Sequence, residues 1–303
     1  MKNLSLDIVR ATEAAAIAAS HWIGSGNKEL ADKAATDALR DRLNKTNFAG
    51  VVALGEGEKD HSYGLFKGEK VGNLKSEIQY QLAIDPIEGT TPTVTSGPEA
   101  ISTIAIGEQG SMFAPDCFYV NKLAYGEHIR QKVKLDIDAP IEETCQIIAK
   151  VTGKPLDAIM VCILNRPRHK DIIQRLRNIS VRIKLIQDCD VSGAIATCLP
   201  NSGVDLLYGM GGSPEAVISA SAIKCLGGDF QVKMVNADTW TTEGKVLEIE
   251  DLVKGPCAFV ATGITNGSML KGVVFNQRGP ITNSVFMRSE SGTIRWLTTE
   301  HKA

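Results

Sequence analysis

Residues 157–190 read DAIMVCILNRPRHKDIIQRLRNISVRIKLIQDCD, and their pattern changes twice. An apolar run (157–164) is followed by an amphipathic stretch (169–177) and then by a second apolar run (182–187). This order predicts a strand, a helix and a second strand, the βαβ unit of a parallel sheet. Because ligands of such sheets bind beyond the carboxyl ends of the strands, the NRPRH and QDCD segments are candidate binding loops.

The alternation continues on both sides of this unit. Helices are predicted at 140–154, 191–199 and 214–227, and a strand at 204–209 that runs into GMGGSPE. We therefore predict an α/β fold in which residues 131–303 form a substrate-binding half with a βαβ-type sheet. The tail from about residue 245 has the pattern of strands and turns, and it fits against either half.

The first half, residues 1–130, predicts two helices and a mixed sheet. The first helix runs from residue 5 to about 23, and the second runs from a cap at Asn27 to about 44. The predicted strands lie near 50–54, 78–84, 101–107 and 117–126, and residues 59–76 form either a mobile loop or a loose hairpin.

The composition of the chain argues against a nucleic-acid-binding, a membrane-spanning or a secreted protein. The chain has 303 residues, of which 43% are hydrophobic and 22% charged, and a net charge of −2, so no basic field for nucleic acid is present. No apolar run approaches the roughly 18 residues that span a bilayer, and the N-terminus predicts an amphipathic helix and not a signal peptide. Seven cysteines occur without a CxxC pair. We therefore expect a cytoplasmic protein with reduced thiols and with neither nucleic-acid nor membrane partners.

Acidic side chains recur where the apolar strands end, in GEGE (55–58), in QLAIDPIEGTT (81–91) and in GGSPE (211–215). Ionised carboxylates repel one another in a partly buried site unless cations neutralise them. Carboxylates without histidine or cysteine suit Mg²⁺ or Mn²⁺. A further acid, Asp32, lies on the second helix in line with leucines, where it fits either a rim position next to solvent or a carboxylate that points into a functional site. The candidate metal ligands are Asp32, Glu56, Asp85, Glu88 and Glu215.

The DPIEGT turn (85–90) fits an ordinary β-turn with a helix cap when it is taken alone. Together with GEGE it predicts a two-metal phosphate site. Gly89 lets the backbone approach an anion, and Thr90 supplies a hydroxyl group. A helix that begins near Thr91 would point free N–H groups at the phosphate.

DPIEGT resembles the D-P-[IL]-[DE]-G-[ST] metal motif of the inositol-monophosphatase-like superfamily of lithium-sensitive phosphatases. Within that superfamily the chain resembles the class II fructose-1,6-bisphosphatases along nearly its whole length. The further motifs that carry this resemblance are GEGE (55–58), GEKVG (68–72), APD (114–116), NRPRH (165–169), GGSPE (211–215) and ATGIT (261–265). The chain departs from the family in the loop after Glu58, which reads KDHSYGLFKGE.

The resemblance implies a layered α/β sandwich and a metal-binding phosphatase half at 1–130. It also implies hydrolysis of the 1-phosphate of fructose 1,6-bisphosphate, with two or more Mn²⁺ or Mg²⁺ ions on the five acids, and a homo-oligomer, either a dimer or a tetramer. Thr90 and Asp32 would be catalytic, with a hydrogen bond between them that positions the attacking water. The implied substrate-binding residues are Lys28, Glu88, Gly89, Thr90, Tyr119, Arg166, Pro167, Arg168, Asp188, Cys189, Asp190 and Gly212.

Alternatives to these roles remain open in the sequence. Arg166 and Arg168 also fit a solvated loop, and Tyr119 also fits a structural strand aromatic. The substrate could instead be sedoheptulose 1,7-bisphosphate or an inositol phosphate. A sugar-phosphate binding protein without catalysis is the third hypothesis.

Overall fold

The computed structural model describes residues 4–55, 64–75 and 77–302. Its helices in these ranges are α1 (Ser5–Ser20), α2 (Lys28–Asn44), α3 (Thr90–Thr95), α4 (Glu127–Arg130), α5 (Ile141–Thr152), α6 (Lys170–Asn178), α7 (Asp190–Ala196), α8 (Ser213–Leu226) and α9 (Ile249–Leu252). Its first strands are β1 (Gly50–Leu54), β2 (Lys70–Val71), β3 (Tyr80–Glu88), β4 (Ile101–Glu108), β5 (Tyr119–Tyr125), β6 (Met160–Leu164) and β7 (Arg182–Ile186). The later strands are β8 (Leu206–Gly212), β9 (Asp229–Asn236), β10 (Thr241–Glu248), β11 (Cys257–Gly263), β12 (Val274–Asn276), β13 (Gly279–Arg288) and β14 (Thr293–Glu300).

These elements form two compact units of a mixed α/β protein. One unit spans Met1–Phe113 and Val253–Ala303, and the other spans Ala114–Leu252. The tail that the sequence predicted as strands contributes β11 to β14 to the first unit. The predicted division into a metal-binding half and a substrate-binding half at residue 130 concerns function, and it stays a prediction.

The first unit contains a mixed sheet with the strand order β12-β13-β11-β4-β3-β1-β2, and β14 pairs with β13. Only β1 and β3 are parallel among the pairs described, which confirms the mixed sheet predicted for this region. Both long helices pack in its hydrophobic core, where Leu39 and Leu43 of α2 meet Leu82 and Ile84 of β3. The parallel pairing brings the carboxyl ends of β1 and β3 to the same edge of the sheet.

The predicted boundaries of the first two helices are largely correct. Asn27 caps α2, because its side-chain oxygen accepts a hydrogen bond from the Leu30 N–H at 3.1 Å. The first helix ends at Ser20, three residues earlier than predicted. The next amides bond three residues back instead of four, as Trp22 does with Ala19, so the helix tightens and ends before the glycines.

The second unit contains a six-stranded sheet with the order β10-β9-β5-β8-β6-β7. β7, β6 and β8 are parallel, so the quoted segment forms the βαβ unit that it predicts. β5 lies between β8 and β9 and is antiparallel to both. The sheet is therefore mixed and not wholly parallel, because a strand from before the alternating region inserts into it.

The described residues also show whether a helix could cross a membrane and whether the cysteines are paired. No helix among them is both long and apolar enough to cross a membrane. All seven cysteines are free thiols. Burial raises the pKa of Cys145 to about 12, so this thiol is a poor nucleophile near neutral pH.

Candidate active site

The carboxyl end of β3 carries both acids of the DPIEGT turn, and both are buried. The exposed fraction is 4% for Asp85 and 6% for Glu88. Asp85 Oδ1 accepts a hydrogen bond from the Ile87 N–H at 3.0 Å, which fixes the turn. Gly89 then adopts a φ of +102° and leads the chain directly into α3. This conformation favours glycine, so the residue expected to make room for an anion is also the one that the turn requires.

Thr90, the first residue of α3, donates a hydrogen bond to Asp32 Oδ1 on α2 across 2.9 Å. The hydrogen bond that the sequence predicted between these residues is therefore present. Lys28, one helical turn before Asp32, donates to Thr91 Oγ1 at 2.8 Å. Two side-chain bonds thus join the starts of α2 and α3. Asp32 is half-buried and faces the DPIEGT turn, in agreement with the hypothesis that this acid belongs to a site.

Glu215 lies in the first turn of α8, in the second unit. Its Oε2 atom is buried and has no hydrogen-bond partner. The carboxylate lies over Gly212, where an added Cβ would meet Oε2 at 2.0 Å, so it occupies the space that a side chain at this position would take. A buried carboxylate oxygen without a donor is costly, and a divalent cation is the ligand that such an oxygen suits.

The ligand set for a metal ion is not complete in the described residues. Within 4–55, 64–75 and 77–302, no group of three or more His, Cys, Asp or Glu side chains is arranged to hold a metal ion. Glu56, a predicted ligand, lies outside these ranges, as do Glu58 and the first residues, 59–63, of the changed loop that follows it. The buried acids Asp85 and Glu88 and the bare oxygen of Glu215 fit divalent cations by their chemistry. Their roles as ligands stay predictions.

The substrate residues predicted in the second unit all lie at one edge of its sheet. β6, β7 and β8 are parallel, so their carboxyl ends meet there. β5 begins at the same edge, because the register places its first residue opposite the last residue of β8. The residues gathered at this edge are Tyr119, Arg166, Pro167, Arg168, Asp188, Cys189, Asp190 and Gly212.

The two arginines of the NRPRH segment have different partners. Arg166 forms an ion pair with Asp188. Arg168 donates from Nε and Nη2 to the carbonyl oxygen of Met210, at 3.2 Å and 2.8 Å. Among the described residues, no carboxylate forms an ion pair with Arg168. Burial lowers the pKa of Arg168, and the positive charge of Arg166 acts in the same direction. Arg168 is therefore a partly desolvated cation that forms no ion pair among the described residues, which suits an incoming anion.

The Arg168 guanidinium lies over two neighbouring aromatic rings. The central carbon of the guanidinium lies 5.2 Å from the centroid of the Tyr119 ring and 4.8 Å from that of Trp240. The two ring centroids are 5.0 Å apart. Tyr119 is thus placed beside a cation that the sequence also predicted as a substrate residue.

Asp190 begins α7 and forms a buried ion pair. Its Oδ2 lies 2.7 Å from Nζ of Lys122 on β5, and the side chains are 7% and 1% exposed. Cys189 before it has a φ of +69°, which turns the chain from β7 into α7. Asp190 therefore keeps one oxygen on a fixed cation at the edge of the sheet.

His169 uses both ring nitrogens in its neutral form. Nδ1 lies 2.7 Å from the Leu164 carbonyl oxygen, and Met210 donates its N–H to Nε2 across 2.8 Å. The hydrogen is therefore on Nδ1. Burial lowers the pKa of this histidine, which keeps it neutral. Arg168 and His169, neighbours in the chain, thus bind the carbonyl oxygen and the N–H of the same residue.

Three residues at this edge had not been predicted from the sequence: Lys122, His169 and Trp240. Lys122 carried a signal, because a lysine inside the apolar run CFYVNKLAYG is unusual for a buried strand. His169 lay within a quoted motif, although one of its two partners, the Met210 N–H, lies on a strand 41 residues away. Trp240 carried no signal, since its contacts depend on how β9 and β10 pair.

Comparison with known proteins identifies the family of this chain. The family model described as "Bacterial fructose-1,6-bisphosphatase, glpX-encoded" matches residues 2–301. A Haemophilus influenzae protein named fructose-1,6-bisphosphatase class 2 is 37% identical over 323 residues, which cover 99% of this chain and 96% of the relative. Two cyanobacterial relatives are named D-fructose 1,6-bisphosphatase class 2/sedoheptulose 1,7-bisphosphatase.

The relative from Thermosynechococcus vestitus is 36% identical, with coverage of 98% of this chain and 95% of the relative. The relative from Synechocystis is 34% identical, with coverage of 99% and 96%. The family match and these identities extend over nearly the whole chain, including every motif on which the resemblance rested. This chain belongs to the glpX-encoded family of bacterial fructose-1,6-bisphosphatases.

Proposed function

We propose that this chain hydrolyses the 1-phosphate of fructose 1,6-bisphosphate to fructose 6-phosphate and phosphate, a reaction of gluconeogenesis. The observation that carries the proposal is the hydrogen bond from Thr90 to Asp32 beside the buried acids of the DPIEGT turn. It brings a hydroxyl and a carboxylate into contact next to two more acids, and these are groups that metal-assisted hydrolysis of a phosphate ester uses. The family to which the chain belongs supports the same reaction.

Thr90 and Asp32 would act on the attacking water. Thr90 gives its only hydroxyl hydrogen to Asp32, so its oxygen lone pairs can accept a hydrogen from a water molecule. As that water attacks phosphorus, its proton passes to Thr90 Oγ1 while the Thr90 proton passes to Asp32 Oδ1. Gly89, which has no side chain, leaves space for the phosphoryl oxygens beside the turn.

We further propose two or more divalent ions, Mn²⁺ or Mg²⁺, on Asp32, Glu56, Asp85, Glu88 and Glu215. When bound, such ions supply a more acidic water and neutralise charge on the phosphoryl oxygens. The burial of Asp85 and Glu88 and the bare Oε2 atom of Glu215 support this proposal.

The remote phosphate of the substrate would bind at the edge of the second unit's sheet. Arg168 supports this assignment, because it is a partly desolvated cation whose Nη1 hydrogens are not used by the bonds to Met210. Arg166 would also bind this phosphate, although its positive charge is partly neutralised by the ion pair with Asp188. Asp190 would accept a sugar hydroxyl. The remaining substrate contacts that we propose are Lys28, Glu88, Gly89, Thr90, Tyr119, Pro167, Asp188, Cys189 and Gly212.

The direct test is phosphate release from fructose 1,6-bisphosphate by the purified protein, with Mn²⁺ or Mg²⁺ present. We expect turnover with at least one of these ions, and loss of turnover when a chelator is added. The proposal is wrong if no sugar bisphosphate is hydrolysed with either ion. We also propose that the protein works in the cytoplasm as a homo-oligomer, a dimer or a tetramer.

Sedoheptulose 1,7-bisphosphate is a second candidate substrate. The printed names of the two cyanobacterial relatives include this activity, and they favour it over an inositol phosphate. A comparison of kcat/KM for both bisphosphates and for inositol 1-phosphate separates these candidates. Binding of a bisphosphate without turnover would instead favour a protein that has lost catalysis.

A further inference from the structure

Trp240 lies in the turn between β9 and β10 and has a φ of +54°. A bulky aromatic residue is rare in this left-handed region, where glycine or asparagine is favoured. The turn is built around Asn236, whose carbonyl oxygen accepts the Trp240 N–H at 2.8 Å. The side-chain oxygen of Asn236 accepts the N–H groups of Asp238 and Thr239. The turn thus fixes the tryptophan in a conformation that the residue itself disfavours.

The Trp240 ring contacts the two residues that the proposed function places at the remote phosphate. Its centroid is 4.8 Å from the Arg168 guanidinium and 5.0 Å from the Tyr119 ring. A guanidinium next to an aromatic face is stabilised by the negative charge density of that face. Because the contact also removes water from the cation, Arg168 becomes a stronger partner for an anion.

Two kinds of contact hold the Arg168 side chain in place: hydrogen bonds to a backbone carbonyl and contacts with aromatic rings. The Met210 carbonyl oxygen binds one edge of the guanidinium, through Nε and Nη2. The guanidinium also lies over the neighbouring rings of Tyr119 and Trp240. Together they leave the Nη1 edge for a phosphate and limit rotation of the plane. Because the side chain is already held in the folded protein, it loses less conformational entropy when the phosphate binds, and this favours binding.

We propose that Trp240 is a positioning residue for the remote-phosphate subsite: it holds Arg168 in the orientation that receives the phosphate farthest from the scissile bond. This inference rests on the proposed function, and it makes Trp240 a determinant of specificity for bisphosphates over monophosphates.

The test replaces Trp240 by asparagine. Trp240→Asn removes the ring and suits the left-handed backbone, so we expect it to fold. With fructose 1,6-bisphosphate, KM rises about 3- to 10-fold, in keeping with the loss of one cation–π contact, and kcat changes by less than about 2-fold. Competitive inhibition by fructose 6-phosphate weakens by the same factor. Inhibition by inorganic phosphate and turnover of fructose 1-phosphate, which lacks the remote phosphate, stay as in the wild type.

Two further variants complete the experiment. Trp240→Phe keeps an aromatic face and restores most of the affinity. Trp296→Thr, at a half-exposed tryptophan on β14, leaves all constants unchanged. The inference is overturned if the Trp240→Asn enzyme keeps the wild-type KM, or if bisphosphate and monophosphate turnover fall equally, as in a general structural defect. If the wild type hydrolyses no sugar bisphosphate, the proposed function fails first.

Discussion

Thr90 Oγ1 lies 2.9 Å from Asp32 Oδ1, and the hydroxyl is the donor of this hydrogen bond. The two residues are 58 positions apart in the chain; Thr90 is the first residue of α3, and Asp32 lies in the second turn of α2. The bond orients the threonine so that its lone pairs remain available to a water molecule. The carboxylate is the final acceptor of the proton in this arrangement.

Loss of either partner should therefore reduce turnover more than it reduces stability. We expect Thr90→Ala and Asp32→Asn to lower kcat by about 100-fold or more, the usual contribution of a positioned acid–base pair. Thr90→Ser, which keeps the hydroxyl, should retain most of the activity. The matched control is Thr95→Ala, on the exposed side of the same helix. Wild-type kcat in Thr90→Ala would remove this residue from the mechanism.

The bare oxygen of Glu215 predicts how the protein responds to metal. Divalent ions that bind only the folded state stabilise it, by about 2.7 kcal/mol at a concentration 100 times the Kd. We expect Mn²⁺ to raise the Tm of the wild type and a chelator to reverse the increase. Glu215→Gln should reduce this metal-dependent rise, because the neutral amide is a weaker ligand. Glu243→Gln, on the exposed part of β10, is the control. An undiminished rise in Glu215→Gln would argue against Glu215 as a ligand.

The buried pair of Lys122 and Asp190 should contribute far more to folding than a surface pair does. Lys122→Met keeps the volume of the side chain but leaves Asp190 buried without its cation, which costs about 3–5 kcal/mol. The double variant Lys122→Met, Asp190→Asn should recover part of that loss. Lys33→Ala, which breaks an exposed pair with Asp37, should cost less than about 1 kcal/mol. Urea unfolding measures all three free energies, and equal costs for the buried and exposed pairs would contradict this prediction.

Local chemistry explains which parts of the fold and site could be predicted. Asn27 as a cap, the two acids at the end of β3 and the strand–helix–strand unit each depend on residues close together in sequence. The insertion of β5 between β8 and β9 could not be predicted, because it depends on pairing between strands about a hundred residues apart. The contact between Arg168 and Trp240 depends on the same pairing.

Polar contacts between residues distant in sequence were also hard to predict from local chemistry. The hydrogen bond between Thr90 and Asp32 was expected only because the family resemblance joined two motifs that are distant in sequence. No motif joined Lys122 to Asp190, 68 positions away, so this pair was missed although the lysine stood out in its strand. Residue types at strand ends therefore predicted the kind of chemistry, and the tertiary fold decided the partners.

The neutral state of His169 predicts a loss of stability in acid. Burial lowers the pKa of the folded-state imidazole, whereas an unfolded histidine titrates near about 6.5. The unfolded state therefore binds more protons, so the free energy of unfolding is highest above about pH 6.5 and falls as the pH drops toward the folded-state pKa. The slope from this one group is at most about 1.4 kcal/mol per pH unit. His169→Gln, which cannot titrate, should be less stable at pH 8 but should lose less stability between pH 8 and pH 5.5, as measured by urea unfolding of the metal-free protein. If both proteins lose the same free energy over that interval, His169 is not the group responsible.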